Sequence, residues 1–134
     1  APPAMPTVDI DEAGAAAARG ALLDVRAAER YLGRAEPVDP RAGHVPGARN
    51  APTAALVGAA GTFRDPEGRR AHFAAHGVAL PGPGAGEPWT VSCGSGVTAA
   101  HTVAALASLG IPARLWPGSW SQWSADPGRP VATG

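Results

Sequence analysis

Three short strand-like runs, the apolar Ala21-Leu22-Leu23 and Trp89-Thr90-Val91 and the segment Ala113 to Trp116, constrain the fold of this chain more than any other feature. Each is too short for a helix and is bounded by glycine, proline or a polar residue, which is the pattern of a buried strand. Helical segments alternate with them. Asp9 or Asp11 can cap a segment whose Ala13 to Ala18 run favours helix, with Arg19 in the last turn and Gly20 at the stop. Ala27 to Leu32 allows one or two turns closed by Gly33. Thr53 can cap a short helix over 54–57, and Asp65-Pro66-Glu67 starts another that runs to His76 before Gly77. Val97 to Leu109 is alanine-rich and ends at Gly110 and Pro112. Ser119 to Trp123 forms a helical turn whose Trp120 and Trp123 cover a core edge.

Crossovers this short join only neighbouring parallel strands, so the expected architecture is α/β, a sandwich around a parallel sheet of about five strands. The stretch from Gly33 to Gly43 is a long loop. It leads through the Pro-Gly turn of His44 to Asn50 into an extended piece at Ala48 to Ala51. Ala1 to Thr7 reads as an extended lead-in, and the 134 residues fit one domain with no room for a second. The chain begins Ala1-Pro2-Pro3, which leads us to expect a processed chain or a piece of a longer one.

Composition excludes several classes of function. One cysteine forbids an internal disulfide, and without a Cys/His cluster a structural zinc site is not expected. Eleven arginines balance eleven acidic residues, with no lysine, which argues against a broad nucleic-acid or anionic-membrane footprint. Apolar stretches are too short to span a bilayer, and no signal peptide is visible, so a cytoplasmic location is expected.

That single cysteine stands at a seam. Ser92-Cys93-Gly94-Ser95-Gly96-Val97-Thr98-Ala99 lies between the second strand and the alanine-rich helix. The first turn of a helix offers unpaired N–H groups and a partial positive charge, which hold a nearby cysteine as thiolate. A buried cysteine can also be a small apolar filler, and the local residues leave both readings open.

Four segments in order carry a resemblance. They are Leu22-Leu23-Asp24-Val25-Arg26 with Glu29-Arg30-Tyr31-Leu32-Gly33, then Gly43-His44-Val45-Pro46-Gly47-Ala48-Arg49-Asn50, then the cysteine loop, then Gly118-Ser119-Trp120-Ser121-Gln122-Trp123 with Pro130-Val131-Ala132-Thr133-Gly134. Together they resemble the rhodanese homology domain, in particular the C-terminal catalytic domain of tandem thiosulfate/3-mercaptopyruvate sulfurtransferases. The resemblance implies a three-layer α/β/α sandwich and a cysteine, here Cys93, that takes a sulfane sulfur as a persulfide and passes it to cyanide or a thiol. It implies no cofactor and no metal.

The same resemblance suggests roles for other residues. The loop amides of Gly94, Ser95, Gly96, Val97, Thr98 and Ala99 would stabilise the anionic sulfur. Ser95 and Thr98 could add hydroxyl donors, and Ser95 reads equally well as a small loop residue. Gly94-Ser95 replaces the basic residues that suit thiosulfate, so the loop looks like the mercaptopyruvate type. Arg30 matches the substrate-binding arginine. Arg41 is the nearest candidate for a second, ahead of Arg34, and Asp24 with Arg26 resembles an architectural pair. An N-terminal rhodanese domain would be the missing partner of a tandem enzyme.

Two other readings are weighed. Tyrosine-phosphatase chemistry needs Cys-x5-Arg, and Ala99 occupies that position. The remaining alternative is a non-catalytic rhodanese module acting as sulfur carrier or binding domain.

Overall fold

A computed structural model describes residues 6–52, 66–80, 82–84, 87–94, 97–107 and 110–134. The elements in chain order are α1 (Ile10–Ala18), β1 (Leu22–Asp24), α2 (Ala28–Tyr31), β2 (Arg49–Asn50), α3 (Pro66–Ala75), β3 (Trp89–Ser92), α4 (Val97–Ala107), β4 (Ala113–Leu115) and α5 (Ser119–Ser124). The Thr53-capped helix, the Asp65 cap and the helix end at Leu109 lie outside the described residues.

All three runs form strands of one parallel sheet, ordered β2-β1-β3-β4. Among the described residues the sheet has four strands rather than the expected five or so. A fifth contribution comes from one residue of the lead-in, Thr7, which bridges Leu115 in parallel. The Leu115 N–H donates to the Pro6 carbonyl at 2.8 Å, and the Val8 N–H donates to the Leu115 carbonyl at 2.9 Å. The ladder cannot lengthen, because Pro6 has no N–H to give and Asp9 already caps α1.

That cap is a complete box. The Glu12 N–H donates to the Asp9 carboxylate at 2.8 Å and the Asp9 N–H donates to the Glu12 carboxylate at 3.2 Å, which decides between the two candidate caps.

Strand residues alternate between two cores. Leu22 joins Ala13 and Ala17 of α1 with Trp116, Trp120 and Trp123, while Leu23, Trp89, Val91 and Cys93 join Phe73 of α3 with Val103 and Leu106 of α4. The sheet is therefore covered by α1 and α5 on one face and by α3 and α4 on the other. Trp120 and Trp123 are buried and form part of the core on the α1 and α5 face. The register sets Asp24 opposite both Asn50 and Ser92, so the ends of three strands meet at one edge, next to Cys93.

The turn carrying Gly47 packs against the last turn of α1. Its φ is +90°, and an added Cβ would collide with the Ala17 carbonyl oxygen. Gly20 also has a positive φ, +73°, but nothing lies within 4 Å of an added Cβ. We therefore expect Gly20→Ala to cost about 1 kcal/mol from backbone strain alone. Gly47→Ala should cost well over 2 kcal/mol, because overpacking adds to strain. Urea denaturation of the two variants would check the difference.

Candidate active site

Cys93 follows directly from β3, and its side chain continues the Trp89, Val91 alternation into the core under α4. It is 3% exposed. The Ala99 N–H, in the first turn of α4, donates to the Cys93 Sγ at 3.3 Å. An orphan amide of a helix start is thus directed at the sulfur.

A second helix start holds the backbone of the same loop. The Trp120 N–H donates to the Cys93 carbonyl at 3.0 Å, and the Ser121 N–H donates to the Gly94 carbonyl at 2.9 Å. The Cys93 N–H donates to Ser119 Oγ at 3.0 Å, and the Ser119 hydroxyl donates to the Trp116 carbonyl at 2.8 Å. Ser119 is fully buried and has a φ of +50°, a conformation a serine adopts only when its surroundings enforce it.

Asp24 and Arg26 form a buried, two-pronged pair. Arg26 Nη2 donates to Asp24 Oδ2 at 2.7 Å, Nε reaches both carboxylate oxygens, and the Arg26 N–H donates to Oδ1 at 3.0 Å. Arg26 Nη2 also donates to the Gly43 carbonyl at 2.7 Å, and the guanidinium lies 4.9 Å from the centre of the Trp120 ring.

Arg30 lies beside the sulfur loop. A Cβ added at Gly94 would come within 3.2 Å of Arg30 Nη1, so the guanidinium fills the space a side chain at 94 would occupy. Arg30 Nη2 donates to Glu36 Oε2 at 3.0 Å and to Asp39 Oδ2 at 3.1 Å, while its buried Nε has no hydrogen-bond partner among the described residues. Glu36 also accepts the N–H groups of Val38 and Asp39. Burial pushes its carboxyl up, but the Asp39 and Val38 amides and the Arg30 guanidinium outweigh this and hold it below the usual glutamate value.

Arg41 is placed differently from Arg30. It donates to the carbonyls of Ser124, Arg129, Trp123 and Asp126, which clamps the end of α5 and the turn after it. Of the predicted loop, Gly94, Val97, Thr98 and Ala99 are described, with Thr98 exposed and Ala99 buried, whereas Ser95 and Gly96 lie outside the described residues. His44 stacks on Tyr31 at 3.7 Å, and its Nδ1 lies 2.6 Å from the Tyr31 carbonyl. Among the described residues no group of three metal-ligating side chains occurs, and no helix is long and apolar enough to cross a membrane.

Sequence reasoning missed three contributors: Ser119, Glu36 and Asp39. The acids carried a signal, since Glu36-Pro37 and Asp39-Pro40 set two carboxylates before prolines, where the chain stays extended, within ten residues of Arg30.

Comparison with known proteins bears on this site. The chain matches the family described as "Rhodanese-like domain" over residues 9–126. It is 46% identical over 128 residues to SseB of Mycobacterium tuberculosis, provisionally named a thiosulfate sulfurtransferase, covering 96% of this chain and 43% of SseB. It is 49% identical over 115 residues to a probable 3-mercaptopyruvate sulfurtransferase of Pseudomonas aeruginosa, covering 85% and 39% respectively. Among solved structures it resembles the Tum1 protein from Saccharomyces cerevisiae, with a TM-score of 0.79 and 26% identity, over 96% of this chain and 46% of Tum1. The chain thus spans less than half the length of these relatives.

Two measurements follow from the geometry. Because the folded-state pKa of Glu36 is depressed, its stabilising effect is present above the unfolded value of about 4.3 and fades as pH falls through the folded value. The stability gap between wild type and Glu36→Gln should therefore be constant near neutrality and narrow below about pH 4, followed by chemical denaturation at several pH values. Ser119→Ala removes the acceptor of the buried Cys93 N–H and should cost about 1 to 3 kcal/mol in the same assay.

Proposed function

Because the chain belongs to the rhodanese-like domain family, we propose that it is a sulfurtransferase that carries sulfur on Cys93. The observation that supports this most is the convergence on one loop of a sulfur that accepts the Ala99 N–H and a guanidinium resting against Gly94. The first gives a nucleophile and the second a positive group for an anionic donor.

The Cys93 thiolate attacks the outer sulfur of the donor. With 3-mercaptopyruvate the carbon–sulfur bond breaks, its electron pair leaves on the enolate of pyruvate, and a solvent proton completes pyruvate. With thiosulfate the sulfur–sulfur bond breaks and sulfite leaves. Either way Cys93 holds one extra sulfur as an anionic persulfide, stabilised by the amides of the loop and of Ala99. Cyanide or a thiolate then attacks the outer sulfur, and the Cys93 thiolate is regenerated. No metal or organic cofactor takes part in these steps.

Arg30 binds the donor's anionic end. With Gly94-Ser95 where thiosulfate-preferring loops carry basic residues, 3-mercaptopyruvate is the favoured donor, and Gly94 leaves the room that Arg30 uses. Arg41, with its donors on four carbonyls, supports the loop and α5 and is not assigned to the donor. Asp24 and Arg26 hold the strand end beneath the site. The partial coverage of the relatives supports a protein in which this chain is the catalytic half and an N-terminal rhodanese domain completes the site. A reduced, cytoplasmic setting suits a cysteine that must stay out of disulfides.

Intact-mass spectrometry after exposure to 3-mercaptopyruvate should show the gain of one sulfur atom in wild type and none in Cys93→Ser; no adduct from either donor would sink the proposal. Cyanide-dependent thiocyanate formation separates an enzyme from a sulfur carrier, since a carrier would take the adduct without sustained turnover. In an enzyme, Arg30→Met should raise KM for 3-mercaptopyruvate by about tenfold or more, through loss of a charge-assisted contact.

A further inference from the structure

The arginine beside the sulfur loop is held between two carboxylates, and this bears on which anion it can accept. Asp24, Arg26, Glu36, Arg30 and Asp39 form a row of alternating charge that begins and ends on a carboxylate. The links are Arg26 to Asp24 at 2.7 Å, Arg26 to Glu36 at 3.5 Å, Arg30 to Glu36 at 3.0 Å and Arg30 to Asp39 at 3.1 Å. The row therefore carries one net negative charge, although a guanidinium faces the loop.

Its two ends differ. Asp24 is fixed at a strand end by Arg26, with side-chain exposures of 4% and 2%. Asp39 is held by side chains from two elements, the Arg30 guanidinium and the Ser121 hydroxyl, which donates to Oδ1 at 2.7 Å. Glu36 is anchored by two backbone amides as well as by Arg30, so it cannot leave without breaking its own turn. An anion that takes the Arg30 donors facing Gly94 shares that guanidinium with Asp39, whose carboxylate is held in place by Arg30 and Ser121.

We propose that Asp39 is a specificity-determining residue that weakens the binding of dianions at Arg30 more than that of monoanions. The inference rests on the sulfur-transfer reading, in which the two donor classes are the doubly charged sulfur oxyanions, such as thiosulfate, and the singly charged thiol keto acids. Coulomb repulsion from one fixed carboxylate is proportional to ligand charge. The penalty in free energy for a dianion is therefore twice that for a monoanion at the same place, and the fold-change in affinity is squared. Asp39 thus acts in the same direction as the absence of basic residues after Cys93 in the sequence.

Binding alone tests this, without sulfur transfer. In a Cys93→Ser background, inorganic sulfate and pyruvate serve as dianion and monoanion probes, titrated while following the NMR signal of the Arg30 Nε–H. Removing the charge with Asp39→Asn or Asp39→Ala should tighten pyruvate by about threefold and sulfate by about tenfold. Asp39→Glu should keep both affinities near those of the parent. Equal effects on the two probes, no effect, an Asp39→Glu variant that behaves like Asp39→Asn, or failure of both probes to shift the Arg30 signal would each overturn the proposal. The sulfur-transfer reading is judged separately by the mass adduct on Cys93. A protein that takes no sulfur yet shows the squared dependence would lose that reading and keep the anion filter.

Discussion

The buried pair of Asp24 and Arg26 is the interaction on which the functional end of the molecule depends. Taking both charges out of water costs several kcal/mol per ion, and this is offset only when geometry and hydrogen bonding are complete. Here Arg26 offsets much of the cost by reaching beyond its partner to the Gly43 carbonyl and the Trp120 ring, while its buried Nη1 is only ion-paired, at 3.5 Å from Glu36, with no hydrogen bond among the described residues. One guanidinium therefore ties the end of β1 to the long loop and to α5. The Asn50 side chain adds β2 by donating to the carbonyls of Asp24 and Arg26 at 3.0 Å each.

On that frame the cysteine loop is held from two sides by the same kind of group. Helix starts leave amides unpaired, and both α4 and α5 direct theirs at residues 93 and 94, one helix at the sulfur and the other at the carbonyls. The positive φ of Ser119 belongs with this arrangement, since its hydroxyl accepts the Cys93 N–H while donating to Trp116. Rigidity at Cys93 is thus the joint product of two helix termini and one strained residue.

Much of the fold was legible because it rests on local signals. The strand end at Asp24 and the apolar run at Trp89 follow from period and punctuation, and a cap at Asp9 or Asp11 from capping chemistry, with the choice of Asp9 made by its box with Glu12. The number of strands was less legible, since whether Thr7 pairs with β4 depends on where the lead-in passes in space. At the site, Cys93 and Arg30 stood out by their motifs, whereas Asp39 looked like an ordinary loop acid. Its meaning comes from contacts with Arg30 nine residues away and Ser121 far along the chain, which no local pattern encodes. Arg41 is a second case. The resemblance made it the nearest candidate for a second donor-binding arginine, and its observed hydrogen bonds run to carbonyls more than eighty residues on, a set of partners no local pattern encodes.

The single bridge at Thr7 matters for association between molecules. A sheet edge that presents free amides and carbonyls is a template for pairing with another chain, and proteins keep such edges short, charged or covered. Among the described residues one border of the sheet is β2, only two residues long. At the other, β4 carries the charged Arg114 at its centre, and the pairing of Pro6 and Val8 with Leu115, with the bridge at Thr7, occupies its exit. The backbone groups of Leu115 that another chain would need for strand addition are thus already taken by the chain's own lead-in.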